Sequence, residues 1–248
     1  MNINSKVNKD ELFQEFNLLM SFYRGNGQTQ GKIESQYIIK NKIVALPFTI
    51  EKKSLDKKNN NVYVTNQISK IEALSSSLLS IKTLGKTREN YNGGCQCKKS
   101  DFFILITTYI SIDSPIICGN CNQSVPLYKL PIYHDFGYVP LLSWETNYQS
   151  CDRLQMNCEV GERWSLNQMQ ELNSQLSKQG LEICEKIQEL TKTPTFYFLY
   201  NYKKYRTDQS NLPCPGCGKS WNLKVTNDYF YDFKCEDCKI ISTFSPNV

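Results

Sequence analysis

The sequence closes on two cysteine pairs, Cys214-Pro-Gly-Cys217-Gly218 and, seventeen residues after Cys217, Cys235-Glu-Asp-Cys238. Two Cys-x-x-Cys knuckles suit one tetrahedral metal ion, most often Zn²⁺. Both sulfurs of a knuckle must converge on one point, so the backbone between them must turn tightly. Pro215, Gly216 and Gly218 permit that turn. Four thiolates saturate the ion, so such a site builds structure and has no position left to activate water. Iron accepts the same four ligands, and the spacing does not separate it from zinc. Two disulfides, or four unrelated core cysteines, are the alternative that the paired spacing disfavours.

The 248 residues are 40% hydrophobic and 12% aromatic, enough to bury a real core. The first ten residues have no apolar signal core, and the longest apolar run, Phe102 to Ile106, is too short to span a bilayer. A cytoplasmic protein is therefore expected, and eleven cysteines in a reducing compartment point to metal. The formal charge of +5 treats every cysteine as neutral. Four thiolates around one divalent ion carry −2, so two such sites bring +5 down to +1. The basic surplus is amino-terminal: residues 1–94 hold fourteen Lys/Arg against eight Asp/Glu, residues 95–202 eight against eleven, and residues 203–248 seven against five. This weakens the usual step from zinc ribbon to phosphate binding.

An amphipathic helix is expected over Asp10 to Arg24, with Leu12, Phe16, Leu19, Met20 and Tyr23 on one face. Strands are expected at Ser35–Ile39 and Lys42–Ile50 with a tight turn at Lys40-Asn41, then a helix over Asn66–Ser76 and a strand over Leu78–Leu84. Gly93-Gly94 marks a boundary. Cys95-Gln-Cys97 follows, and twenty residues later comes Cys118-Gly-Asn-Cys121, read as a second ribbon with one shortened knuckle. Asp101–Ile110 is expected to be a strand within it, and Val125–Tyr133 to run extended. Helices are expected over Leu141–Cys158 and Trp164–Leu190, the second breaking near Asn173-Ser174, with Gly180 on its apolar face marking close packing. Thr195–Tyr202 reads as a strand leading into the final ribbon. The fold class is α+β: an amino-terminal mixed α/β segment (1–94), a first zinc ribbon (95–140), a helical hairpin (141–193) and a carboxy-terminal zinc ribbon (194–248).

Two four-cysteine sites leave Cys151, Cys158 and Cys184. Cys151 and Cys158 are about 10.5 Å apart along one helix, too far for one ion. All three read as small buried hydrophobes. The lone histidine, His134, stands beside Asp135 and is better read as a turn residue than as a catalytic base. The chain has no Walker loop, no Gly-x-Gly-x-x-Gly and no Gly-x-Ser-x-Gly elbow, so no catalytic residue is assigned.

The run Leu142-Ser-Trp144-Glu-Thr-Asn-Tyr148-Gln-Ser-Cys151-Asp152 through Cys158 to Trp164 is distinctive, as are Thr193-Pro194-Thr-Phe-Tyr-Phe-Leu-Tyr200 and Cys118-Gly-Asn-Cys121-Asn-Gln-Ser-Val-Pro. Together with the terminal knuckles they resemble, over about residues 95–245, a bacterial family of uncharacterised zinc-ribbon proteins whose label suggests nucleic-acid binding. The resemblance implies zinc at Cys214, Cys217, Cys235 and Cys238.

Two functional expectations follow. The first is a non-catalytic recognition protein that binds another protein, as an adaptor or an immunity-type inhibitor of a bacterial toxin. Saturated metal sites, a holo charge near zero and many carboxy-terminal aromatics motivate it. The second is nucleic-acid binding through the carboxy-terminal ribbon. Either partner would meet Tyr200, Tyr202, Lys203, Lys204, Tyr205, Arg206 and Trp221. The metal ligands are Cys95, Cys97, Cys118 and Cys121 in the first site and Cys214, Cys217, Cys235 and Cys238 in the second.

Overall fold

Asn8 starts the first helix, α1 (Lys9–Gly25), by accepting hydrogen bonds from the N–H groups of Asp10 (3.1 Å) and Glu11 (3.5 Å). The computed structural model that shows this describes residues 1, 8–31, 36–85, 93–135, 137–203, 208–223 and 230–245. The chain divides into two compact units. One holds Met1–Gln96, Ile112–Ser114 and Gln123–Pro140. The other holds Cys97–Ser111, Pro115–Asn122 and Leu141–Val248.

In the first unit the stripe Leu12, Phe16, Leu19, Met20 and Tyr23 is buried, as its spacing requires, against Val64 and Ile71 of α2 (Val62–Ser75) and Ile43. Helix α2 starts four residues earlier than the sequence suggests, because the Asn61 side chain accepts from the Val64 N–H at 2.9 Å and caps it there. Strands β1 (Gln36–Ile39) and β2 (Lys42–Ala45) form an antiparallel hairpin, and Lys40 and Asn41 take the positive φ that a two-residue turn needs. The β2 ladder stops at Ala45, short of the expected Ile50, with Pro47 just beyond it. The expected strand at Leu78–Leu84 does not form. Among the described residues no strand pairs with it, and Leu78 and Leu84 are exposed. The expected extended run Val125–Tyr133 contains a short 3₁₀ turn at Leu127–Lys129.

The second unit is built on a five-stranded sheet. Its members are β3 (Phe103–Leu105), β4 (Ile116–Cys118), β5 (Thr195–Phe198), β6 (Phe233–Cys235) and β7 (Ile240–Ser242), in the spatial order β4-β3-β5-β7-β6. Hairpins β3/β4 and β6/β7 are antiparallel, and β5 joins them by pairing parallel to both β3 and β7. The long strand expected over Asp101–Ile110 shrinks to three ladder residues. Helices α3 (Val139–Asn157), α4 (Glu162–Gln170) and α5 (Gln175–Thr191) precede β5. The break between α4 and α5 lies where Asn173-Ser174 suggested, and Ser174 caps α5 by accepting from the Ser177 N–H at 3.0 Å.

Both faces of β5 are covered. Phe196 and Phe198 pack with Ile104, Ile241 and Tyr231. Tyr197 points the other way, meeting Trp144 of α3 edge-on at 6.1 Å between ring centroids. Gly180 of α5 makes this possible, since a Cβ there would lie 2.3 Å from the Tyr197 ring and 3.1 Å from Trp144 Nε1. Among the described residues no helix is long and apolar enough to cross a membrane. Gly180→Ala should therefore lower stability by about 1–3 kcal/mol, the usual range for overpacking a core. Urea unfolding of the two proteins would measure it, and equal midpoints would show that this helix can move away freely.

Candidate metal centres

Edge strands β4 and β6 each end on the first cysteine of a knuckle, Cys118 and Cys235. The following residues turn back sharply. In all three Cys-x-x-Cys knuckles the residue after the second cysteine is left-handed: Asn122 at φ 56°, Gly218 at φ 73° and Lys239 at φ 53°. The Asn122 N–H donates to Cys118 O at 2.8 Å and the Gly218 N–H to Cys214 O at 2.9 Å, closing the same loop in both ribbons. Asparagine and glycine tolerate this conformation readily; lysine is the unusual occupant. The sequence pointed to Gly218, whereas Asn122 and Lys239 carried no signal beyond their place after a knuckle.

The eight expected ligands fall into two groups. Cys95, Cys97, Cys118 and Cys121 form one, Cys214, Cys217, Cys235 and Cys238 the other, and within each group the sulfurs lie within 4.8 Å of one another. None of the eleven cysteines is in a disulfide. A tetrahedron with metal–sulfur bonds near 2.3 Å has edges of about 3.8 Å. Cys217 Sγ and Cys235 Sγ are 3.6 Å apart, which fits. Both donor sets are four thiols with no carboxylate or imidazole, the chemistry of a closed structural zinc site.

Neighbouring groups hold these ligands. Ser100 Oγ donates to Cys118 Sγ at 3.0 Å, and Asn120 both accepts from the Asp101 N–H (2.8 Å) and donates to its carboxylate (2.7 Å). Gly119 lies under the Phe102 ring, where a Cβ would approach to 2.2 Å. Gly216 is equally confined, since a Cβ there would lie 2.6 Å from Cys238 Sγ. At the second site burial pushes the Cys214 and Cys238 thiols up, and the Lys219 backbone N–H draws Cys217 down.

The other sequence-selected residues are more dispersed. Tyr200 and Tyr202 are half-buried and stack nearly parallel, with planes 6° apart and centroids at 6.1 Å. Lys203 is exposed and its Nζ lies 3.0 Å from Glu171. Lys204, Tyr205 and Arg206 lie outside the described residues. Trp221 is a core residue rather than a surface one: it is buried, stacks on Phe233 at 4.8 Å and donates its indole N–H to Leu212 O at 3.1 Å. Cys151 and Cys184 are buried as expected, but Cys158 is exposed, because α3 ends at Asn157 and Cys158 turns left-handed at φ 55°. His134 exchanges backbone hydrogen bonds with Gly137 across a tight turn.

A Haemophilus influenzae protein described as an uncharacterized protein is 32% identical to this chain over 205 residues, covering 79% of the chain and 76% of its own length. The chain belongs to that protein's family. A second Haemophilus influenzae protein with the same description is 36% identical over 146 residues, 58% of the chain and 71% of its own length. Family models match residues 1–85, 97–200 and 203–248, each described as a domain of unknown function (DUF8589, DUF2310 and DUF8594). These descriptions mention neither zinc nor nucleic acid. No solved structure matches the chain at a significant level.

Metal analysis of the purified chain should give two zinc ions per chain, and Cys217→Ser should remove one and leave the other. Fewer than two in the unaltered chain would remove the Cys95 site from the scheme. Zinc affinity of the second site should fall as pH falls, because the raised Cys214 and Cys238 thiols are neutral near pH 7 and must release protons to bind. Competition with a chromophoric chelator should show a loss of at least about tenfold per pH unit below pH 8. A flat profile would mean that the thiolates form without the metal.

Proposed function

We propose that this chain is a non-catalytic zinc-ribbon protein that works in a reducing compartment by recognising another protein, as an adaptor or an immunity-type inhibitor of a bacterial toxin. The two closed four-thiol sites support the first half of this reading, since zinc held there has no position for substrate.

The state of the carboxy-terminal cations carries the second half. Lys203 pairs with Glu171 (3.0 Å) and Lys219 with Asp237 (2.5 Å). Lys234 and Lys239 share Glu236, at 2.8 and 3.3 Å. Lys234 Nζ also lies over the rings of Phe102 (4.2 Å) and Phe196 (4.6 Å). Every described lysine of the carboxy-terminal segment therefore has a carboxylate beside it. A phosphate approaching any of them meets that carboxylate too, and few counterions would be released. The aromatics of β5 are internal, so base stacking there is closed off. Of the described aromatics outside the core, Phe230 and Phe244 are exposed singly, and Tyr200 and Tyr202 stack into a flat surface of the kind that anchors a partner's apolar side chains.

The same stacked pair beside Lys203 suits an unpaired base, which is the nucleic-acid reading. The two separate on salt dependence. Random single- and double-stranded oligonucleotides should fail to bind at low salt. One protein should co-purify with the chain in fixed stoichiometry and be lost on Tyr202→Ala, with affinity down about tenfold or more. Oligonucleotide binding that weakens steeply with salt would replace this reading with the nucleic-acid one. A toxin gene beside the gene for this chain would narrow the partner to that toxin.

A further inference from the structure

The amino-terminal unit carries a separate surface, the outer edge of β1. The β1/β2 register sets Ile38 opposite Ile43. Opposed residues of an antiparallel pair alternate between pointing their backbone groups at each other and pointing them away. Ile43 donates its N–H to Met1 O at 3.0 Å and accepts from the Met1 amino group at 3.2 Å. Both groups of Ile43 therefore point away from β1, so the N–H and C=O of Ile38 point away from β2. Met1 covers the β2 edge. Among the described residues nothing hydrogen-bonds the outward groups of Ile38.

The side chains of this edge are also in water. Tyr37, Ile38 and Ile39 are 48%, 53% and 54% exposed. Three consecutive apolar residues that are half in solvent, beside a backbone edge that no described residue pairs with, form the template that proteins ordinarily blunt or use. The charged residues of the hairpin are Lys40 and Lys42, both exposed, and the Met1 amino group lies at Ile43 O, near Lys42. Burial first and then Lys42 hold that amine below its ordinary range. Residues 1–94 as a whole hold fourteen basic residues against eight acidic ones. A second copy of this surface would bring like charge to like; an acidic strand would not.

We propose that β1 accepts an extended acidic segment of a protein partner as an added strand. The Ile38 N–H and C=O bond the backbone of that strand, and Lys40 and Lys42 meet its carboxylates. The inference goes beyond the carboxy-terminal surface and requires neither zinc nor Tyr202.

The test titrates the full chain, labelled for amide detection, with a short peptide alternating glutamate and valine and with its lysine–valine counterpart. The acidic peptide should bind and protect the Ile38 amide from hydrogen exchange, and the basic one should bind at least about tenfold more weakly. Ile38→Pro removes the outward N–H but keeps the donors that face β2, so the edge should fold and lose about tenfold or more in affinity. Lys40→Glu should weaken acidic-peptide binding with the helical spectrum unchanged, guarding against a misfolded proline variant. Tyr202→Ala should leave peptide binding intact, which separates this surface from the carboxy-terminal one. Absence of binding, equal binding of the two peptides, or full binding by Ile38→Pro would overturn the proposal. A dimer that protects the Ile38 amide without peptide would overturn it too, by giving the edge to a second copy.

Discussion

The carboxy-terminal unit depends on bringing sulfurs together at the ends of very short strands. Strands β3, β4, β6 and β7 have three residues each, and a lone hairpin of that length is not stable in water. Each hairpin instead carries a knuckle whose left-handed residue aims two thiols at one point, and a second pair closes the site from elsewhere in the sequence. A zinc ion bound there would supply on the order of 10–16 kcal/mol of folding free energy, the range for small metal domains and more than such a ladder contributes by itself. The rest of the sheet then follows. With β4 and β6 held at the two edges, β5 fills the space between the hairpins and pairs with both.

That central position decides what the aromatic residues do. Every residue of β5 is buried because Phe196 and Phe198 meet one side of the sheet's surroundings and Tyr197 the other, with Gly180 leaving room for its ring. The aromatic wealth of the carboxy-terminal third is thus mostly core. Among the described residues it leaves outside the exposed Phe230 and Phe244 and the half-buried Tyr200–Tyr202 stack, where the chain has left the sheet. The electrostatics agree. The lysines around the second site are matched by Glu171, Glu236 and Asp237, and two of them also rest on phenylalanine rings. A surface of that kind is selective through shape and apolar contact more than through attraction of phosphate.

Much of this was legible in the chain itself. Spacing alone grouped the eight ligands, because two sulfurs can reach one ion only from a tight turn, and the grouping held even for the shortened Cys95-Gln-Cys97 pair. The stripe of α1 and the close approach at Gly180 were equally local, one a matter of 3.6-residue periodicity, the other of a missing side chain on an apolar face. The errors share a cause. Leu78–Leu84 is apolar enough for a strand but pairs with none among the described residues, and Cys158 follows the apolar stripe of α3 one residue past the point where the helix stops. Trp221 looked like a surface anchor because composition does not say which side of a ribbon turns inward.

The sequence by itself determined the two four-cysteine clusters, the α+β class and the helices that carry their own caps and stripes, since all of these depend on local spacing in the chain. Only the tertiary structure decided the parallel pairing of β5 with both hairpins, the burial of its two faces and the edge of β1 that no described residue pairs with. Those are properties of neighbours distant in sequence. A strand's pattern states that it needs a partner, and the packing of the whole unit determines which partner it finds and which edge it leaves open.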